Sequence, residues 1–169
     1  MTHYYLALRA YGDCLISLSL LGRLPQAVES VAVIGTSLTR RVATIMGLNR
    51  FSVHPVLSDV AAFYNLRQQG LSPALADLRV LRADLASRVQ KQDVVLFEQK
   101  DWRSPLVMLG LKCKSAEPPK SDSIYQDRCE LLREHFNAQH VRHALISHYH
   151  RQRVSATLQV PNRLECLLA

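Results

Sequence analysis

The feature that most constrains the fold is a set of four short apolar segments that alternate with helix-like segments. Residues 30–35 and 93–98 are apolar throughout their interiors, and residues 4–9 and 51–57 are rich in β-forming residues. A strand that is apolar on both sides requires a sheet that is covered on both faces, and such sheets are parallel with helical crossovers. The sequence therefore predicts an α/β protein with a Rossmann-like parallel sheet and helices on both faces.

The segments between and after these strands carry helix signals, and helices are expected over residues 14–24, 36–47, 73–89, 103–111 and 124–136. Thr36 or Ser37 is expected to cap the second of them. In the third, leucines recur at spacings of three to four residues, which predicts one buried face made of Leu75, Leu78, Leu81 and Leu85. Pro55 favours an edge position for its strand. Residues 112–123 are expected to form a loop.

Length and composition set the domain organisation. The chain has 169 residues, which suits one α/β domain over residues 1–136. In residues 137–169 the periodic pattern of apolar residues becomes weaker, and we expect a linker or the truncated start of a second domain.

No apolar run approaches the length of about 18 residues that a membrane span needs, and no secretory signal is evident, so a cytoplasmic location is expected. The four cysteines lack CxxC spacing and are expected to be reduced thiols.

The charge balance favours an anionic partner. Lysine and arginine total 21 against 14 acidic residues, for a net charge of +7. Such a balance suits a nucleic acid, an anionic lipid or a phosphorylated substrate. The basic residues are spread along the chain and form no compact nucleic-acid-binding motif, so a nucleic-acid partner is not favoured.

In a parallel sheet, ligands bind beyond the carboxyl ends of the strands, which directs attention to residues 11–13, 35–41 and 99–104. The turn after the first strand contains Gly12 and Asp13. A single glycine is not the GxGxxG fingerprint, and Asp13 would repel a pyrophosphate, so a nicotinamide or flavin cofactor is not favoured. Asp13 is either a helix cap or first-turn residue, or a general base, and these roles are compatible.

The loop after the fourth strand contains Lys100 and Arg103. These residues either hold phosphate or carboxylate groups, or belong to a solvated loop in which Asp101 or Ser104 caps the next helix. Trp102 is either a core anchor or a platform on which a sugar ring stacks, and the core position is favoured.

Two further groups have plainer interpretations. The hydroxyls of Thr36, Ser37 and Thr39 suit anion binding at a helix start, but helix capping beside the exposed Arg40 and Arg41 is favoured. The histidines near the end of the chain lack HExxH spacing, so no metal site is expected and ordinary histidines are favoured: His135, His140, His143, His148 and His150.

Several of these motifs occur in the same order along the chain as in a known protein family. Residues 6–21, Leu-Ala-Leu-Arg-Ala-Tyr-Gly-Asp followed by an apolar helix, resemble the opening of the heptosyltransferase-like family of GT-B glycosyltransferases. Residues 93–104 resemble the family's strand that ends in Asp-x-Gln-Gly-x-x-Lys-Ser. Residues 110–116 resemble its following Gly-x-Lys segment, and Tyr125, Arg128, Leu131 and Leu132 resemble the helix before its interdomain linker. The resemblance covers residues 4–136, the N-terminal half of a GT-B fold.

The chain also departs from the family pattern. Phe97 stands where the family usually has Asp, Lys100 stands in place of Gly, and Arg103 replaces Lys with the charge retained. Residues 154–168 resemble the start of the family's second domain only weakly, and the rest of that domain is absent from this sequence.

The resemblance implies a function. It implies inverting transfer of a sugar, typically heptose from ADP-heptose, to an anionic glycolipid or oligosaccharide of the lipopolysaccharide core at the inner face of the membrane. Asp13 would then remove the proton of the attacking hydroxyl, and the acceptor would be held by Arg9, Gly12, Gln99, Lys100, Arg103 and Ser104. The nucleotide-sugar would bind only with a second domain, so the isolated chain is expected to be inactive. The alternative is a non-catalytic α/β module that binds an anionic ligand or nucleic acid.

Overall fold

The computed structural model describes residues 1–25, 31–58, 60–119 and 124–136, with the backbone alone at 124–127. The expectation of a linker or second-domain start at 137–169 lies outside the described residues. So do His140, His143, His148 and His150.

The core of the fold is a sheet of five parallel strands in the order β3-β2-β1-β4-β5. The strands are β1 (His3–Ala7), β2 (Val31–Thr36), β3 (Ser52–Leu57), β4 (Val94–Phe97) and β5 (Lys114–Ala116). All residues of β2 and β4 are buried, as expected for strands covered on both faces. The predicted Rossmann-like α/β class is confirmed, and Pro55 lies in β3 at the edge of the sheet.

Helices cover both faces of this sheet. They are α1 (Tyr11–Leu21), α2 (Ser37–Ile45), α3 (Leu66–Gln69), α4 (Leu71–Arg88), α5 (Ser104–Met108) and α6 (Ile124–Phe136), with a 3₁₀ turn at Ala62–Tyr64. One apolar cluster joins β1 and β2 to α1, α2 and α6. A second cluster, on the opposite face, joins the sheet to α4, α5 and the 3₁₀ turn. None of the helices in the described part of the chain has both the length and the apolar character that a membrane crossing requires.

The junction between β2 and α2 forms as the sequence predicts. Thr36 is the N-cap, and its hydroxyl oxygen accepts a hydrogen bond from the backbone N–H of Thr39 at 3.2 Å. The Thr39 hydroxyl in turn donates to the carbonyl of Ala7 on β1 at 2.7 Å. A Cβ atom at Gly35 would lie 2.6 Å from the Thr39 side chain, so only glycine allows this close packing. The threonine hydroxyls are thus engaged in capping and sheet packing.

Three predictions about local structure are wrong. Residues 114–116 of the expected loop form the short edge strand β5, which is held by pairing with β4 and carries no apolar pattern of its own. Leu75 is 45% exposed, because the buried face of α4 is made of Ala74, Leu81 and Leu85. Helix α1 begins at Tyr11 and not at residue 14, with Ala10 as its N-cap, so Asp13 takes the first-turn position that was one of its two expected structural roles.

Candidate functional site

The carboxyl ends of β1 and β4 lie side by side, with Leu6 paired in register with Phe97. The loops that follow these strands therefore meet at one edge of the sheet, as expected for a ligand site in this class of fold. A salt bridge joins them directly: Nη2 of Arg9 donates to Oδ2 of Asp101 at 3.0 Å. The two candidate segments from the sequence thus form one surface.

Asp13 is held by a buried arginine from the last described helix. Nη2 of Arg128 donates to Oδ1 of Asp13 at 2.6 Å. The Arg128 side chain is fully buried, whereas the Asp13 side chain remains 26% exposed. The carboxylate is therefore oriented from the protein side while part of its surface stays open to solvent.

Arg128 also contacts the backbone at the start of α1 and directly after β4. Its Nε donates to the carbonyl of Glu98 at 3.0 Å, and its Nη1 donates to the carbonyl of Asp13 at 2.9 Å and to Oγ of Ser17 at 3.0 Å. A planar guanidinium with several fixed donors suits this arrangement, because one side chain satisfies acceptors on α1 and in the segment directly after β4.

A buried network of three polar side chains, Tyr5, Ser17 and Glu98, lies next to Arg128. The Tyr5 hydroxyl donates to Oγ of Ser17 at 3.1 Å, and the Ser17 hydroxyl donates to Oε1 of Glu98. Complete burial raises the pKa of Glu98, although the Arg128 charge and the Ser17 hydrogen bond act in the opposite direction. Burial also raises the pKa of Tyr5. The polar side chains beneath Asp13 are thus buried and hydrogen-bonded to one another.

A second cluster contains two arginines and an aromatic ring. The Asp101 carboxylate accepts hydrogen bonds from Arg9 and from Nη1 of Arg103, the latter at 2.7 Å. The guanidinium carbon of Arg9 lies 4.3 Å from the centre of the Tyr64 ring, and that of Arg103 lies 5.6 Å from it. Two positive charges thus share one carboxylate, which leaves the cluster with a net positive charge that suits an anion.

Two buried polar atoms at the junction between the loop after β4 and helix α5 have no hydrogen-bond partner within the described part of the chain. They are Nε of Arg103 and Oγ of Ser104. An unsatisfied buried polar group is unfavourable by about 1–3 kcal/mol, so an oxygen-rich ligand that reached this loop would gain from pairing with them.

The remaining candidates have mixed outcomes. Lys100 is exposed and Gln99 is partly buried on the same surface, and Gly12 faces open space. Trp102 is 66% exposed, so the prediction of a core position is wrong. Its ring lies outside the core and is covered by the guanidinium of Arg103, whose carbon is 4.8 Å from the ring centre. The guanidinium thus lies over the indole ring, while most of the Trp102 side chain stays exposed on the surface where a stacking platform would be placed.

His135 lies at the other end of the sheet. It contacts His3 of β1, with ring centroids 5.9 Å apart. Within the described residues, no three His, Cys, Asp or Glu side chains converge closely enough to hold a metal ion.

The sequence interpretation assigned no role to five residues of this site: Tyr5, Ser17, Tyr64, Glu98 and Arg128. For Arg128 a signal is present, since it precedes Leu131 and Leu132 by three and four residues and therefore lies on their face of the helix. Both leucines are buried, so an arginine on that face is placed in the interior and requires partners there. Nothing in the local sequence indicates that Asp13 is the partner.

Comparison with known proteins gives a fold-level likeness. No protein-family model matches the chain, and no curated protein sequence matches it. Two solved structures do match: E. coli heptosyltransferase WaaC with ADP, at 18% identity and a TM-score of 0.44, and the same enzyme with ADP-2-deoxy-2-fluoro heptose, at 16% identity and a TM-score of 0.45. Each match covers 79% of this chain and 47% or 48% of the other, so the chain spans about half the length of these structures. At this identity the likeness concerns the fold alone.

Proposed function

We propose that this chain forms the acceptor-binding side of a sugar-transferring enzyme of the heptosyltransferase kind, with Asp13 as the general base. The observation that carries the proposal is the position of the Asp13 carboxylate. It lies in the first turn of α1, directly after the central strand, with one face open and Arg128 behind it. The resemblance stated from the sequence assigns the same residue the same role.

The chemistry required of Asp13 is simple. An acceptor hydroxyl attacks the anomeric carbon of the donor sugar from the side opposite to the leaving nucleotide, and its proton passes to the carboxylate. The backbone N–H groups at the start of α1 favour a negative charge at this position. Because Arg128 bonds Oδ1, the carboxylate keeps a fixed orientation without a substrate present.

The arginine cluster suits an acceptor that carries phosphate or carboxylate groups. Arg9 and Arg103 are partly exposed, share a single carboxylate and lie beside the exposed Lys100. A lipopolysaccharide-core oligosaccharide has such anionic groups. The net charge of +7 also supports an anionic acceptor or an anionic membrane surface nearby.

The alternative, a non-catalytic module that binds an anion or a nucleic acid, uses the same arginines but does not need Asp13. A titration followed by NMR distinguishes the two. The labelled chain is titrated separately with a phosphorylated Kdo-containing core oligosaccharide, an ADP-sugar and a short polynucleotide. We expect the oligosaccharide alone to shift the amide signals of Gly12, Asp13 and residues 99–104 saturably. Its anionic groups would bind the arginine cluster, and its attacking hydroxyl would lie at Asp13.

Two arginine variants provide the control. Arg103→Gln is expected to weaken oligosaccharide binding about tenfold, which corresponds to the loss of one charge-assisted contact. Arg79→Gln removes an exposed arginine on α4 and should leave binding unchanged. If only the polynucleotide shifts the site signals, and raising the salt concentration severalfold weakens that binding by orders of magnitude, the chain is a binding module and the transfer proposal fails.

A further inference from the structure

We propose that Arg128 is a positioning residue, which holds the Asp13 carboxylate in its orientation and joins the start of α1 and the segment after β4 to α6. The inference rests on the proposed function, because that function makes the orientation of Asp13 matter. It goes beyond that function in assigning the orientation of Asp13 to a buried residue of α6.

The first support is the number and distribution of the hydrogen bonds. Arg128 donates to the carboxylate and the carbonyl of Asp13, to Ser17 and to the carbonyl of Glu98, at distances of 2.6–3.0 Å. All three of its nitrogens take part. Asp13 lies in the first turn of α1 and Glu98 directly follows β4, so a shift of this guanidinium changes both segments together.

The second support is burial. The Arg128 side chain is fully enclosed, and an enclosed charge needs a partner of opposite sign and paired donors. Asp13 supplies the carboxylate at 2.6 Å. The pairing is therefore required by the interior position of the arginine, and the same requirement keeps Asp13 pointing toward it.

The third support is the way Glu98 takes part. Arg128 bonds the backbone carbonyl of Glu98, whereas the Glu98 carboxyl group bonds Ser17. Removing the charge of Glu98 would therefore leave the bonds of Arg128 in place. Other charged or titratable groups that act on this cluster are Arg9, Tyr5 and Cys14, and none of them bonds Arg128 within the described residues.

The experiment compares four variants of the full chain by NMR at one pH. The first two are Arg128→Met and Arg128→Lys. The matched control is Arg133→Met, which alters a partly exposed arginine on the same helix, and the fourth variant is Glu98→Gln. The signals followed are the side-chain carboxyl carbon of Asp13 and the backbone amides of Gly12, Asp13 and Gln99. Thermal unfolding reports whether each variant folds.

We expect Arg128→Met to move the Asp13 carboxyl signal and the amide signals of Gly12, Asp13 and Gln99, and to weaken binding of the phosphorylated oligosaccharide about tenfold. Arg128→Lys should restore part of each change, since it keeps the charge but lacks the forked donors. Arg133→Met and Glu98→Gln should move the Asp13 carboxyl signal much less. A merely structural role would make the lysine variant resemble the methionine variant.

The proposal is overturned if Arg128→Met leaves the Asp13 carboxyl signal in place, or if Arg133→Met moves it as far.

If Arg128→Met does not fold, Asp13→Asn replaces it, since this change keeps the shape of the side chain. It should then move the guanidinium nitrogen signals of Arg128, and unmoved signals overturn the proposal. If the spectral changes occur as expected but the wild-type chain does not bind the oligosaccharide, the positioning of Asp13 stands and the proposed function fails.

Discussion

At the scale of single residues, Glu98 shows how burial alters an ionisable group. Its carboxyl group lies beneath the site, accepts a hydrogen bond from Ser17 and has the Arg128 guanidinium nearby. Burial nonetheless raises its pKa, so the folded protein favours the neutral form more than the unfolded chain does. Stability from this group is therefore complete below the unfolded pKa of about 4.3 and is lost as the pH rises toward the folded pKa.

This linkage predicts the behaviour of Glu98→Gln. The free energy of unfolding of the variant, relative to the wild type, should increase between pH 4 and pH 7, because glutamine has no proton to lose. Urea denaturation at the two pH values measures the difference, and comparison within each pH cancels the titration of all other groups. A relative stability that is the same at pH 4 and pH 7 would show that the Glu98 carboxyl is not perturbed by folding.

At the scale of elements, α4 shows that leucine spacing alone does not identify the buried face. Leu81 and Leu85 are fully buried against the sheet, whereas Leu75 is exposed and Ala74 takes the inward position near the start of the helix. The amino-terminal part of α4 packs against the 3₁₀ turn, and the backbone N–H of Ala62 donates to Oδ2 of Asp77 at 2.6 Å. A small residue faces inward where these elements meet closely.

Two matched truncations on α4 test this assignment. Leu85→Ala should lower the free energy of unfolding by about 2–5 kcal/mol, because a fully buried side chain leaves a cavity. Leu75→Ala, the same change on the same helix, should lower it by about 0.5 kcal/mol, since the side chain is already largely solvated. Urea denaturation of both variants measures the difference. Equal losses would mean that α4 is rotated about its axis relative to this structure.

At the scale of the whole molecule, the sheet is built outward from β1. That strand is bonded to β2 on one side and to β4 on the other, and helices cover both of its faces. The edge strand β5 has three residues, of which Lys114 and Ser115 are exposed. Stability should therefore decrease from the centre of the sheet to its edges.

Amide hydrogen exchange measures this gradient. We expect the amides of Tyr5 and Ala7 in β1 to exchange most slowly, at rates close to those of global unfolding. A strand that pairs with two neighbouring strands and has helices on both faces exposes its amides only when the whole domain unfolds. The amides of β5 should exchange at least tenfold faster. Slower exchange in β5 than in β1 would contradict the observed strand order.

The sequence by itself determined the features that depend on near neighbours. Continuous apolar runs predicted the buried strands, and the hydroxyl residues Thr36 and Ser37 predicted a cap at the start of α2, which the structure assigns to Thr36. Because the carboxyl ends of parallel strands share one edge, the placement of Arg9, Asp13 and Arg103 at a common surface could also be predicted. These features depend on residues close together in sequence or on the common direction of the strands in a parallel sheet, so the sequence alone predicts them.

Only the tertiary structure decided which distant groups meet. Strand β5 has no pattern of its own and exists because β4 offers it a partner. Trp102 is surface-exposed because its loop turns away from the core, which its composition does not reveal. Arg128 reaches Asp13 across 115 positions of sequence, and their pairing follows from the packing of α6 against α1. A buried charge takes its partner from whatever the fold brings near it, and that proximity is a property of the packed chain.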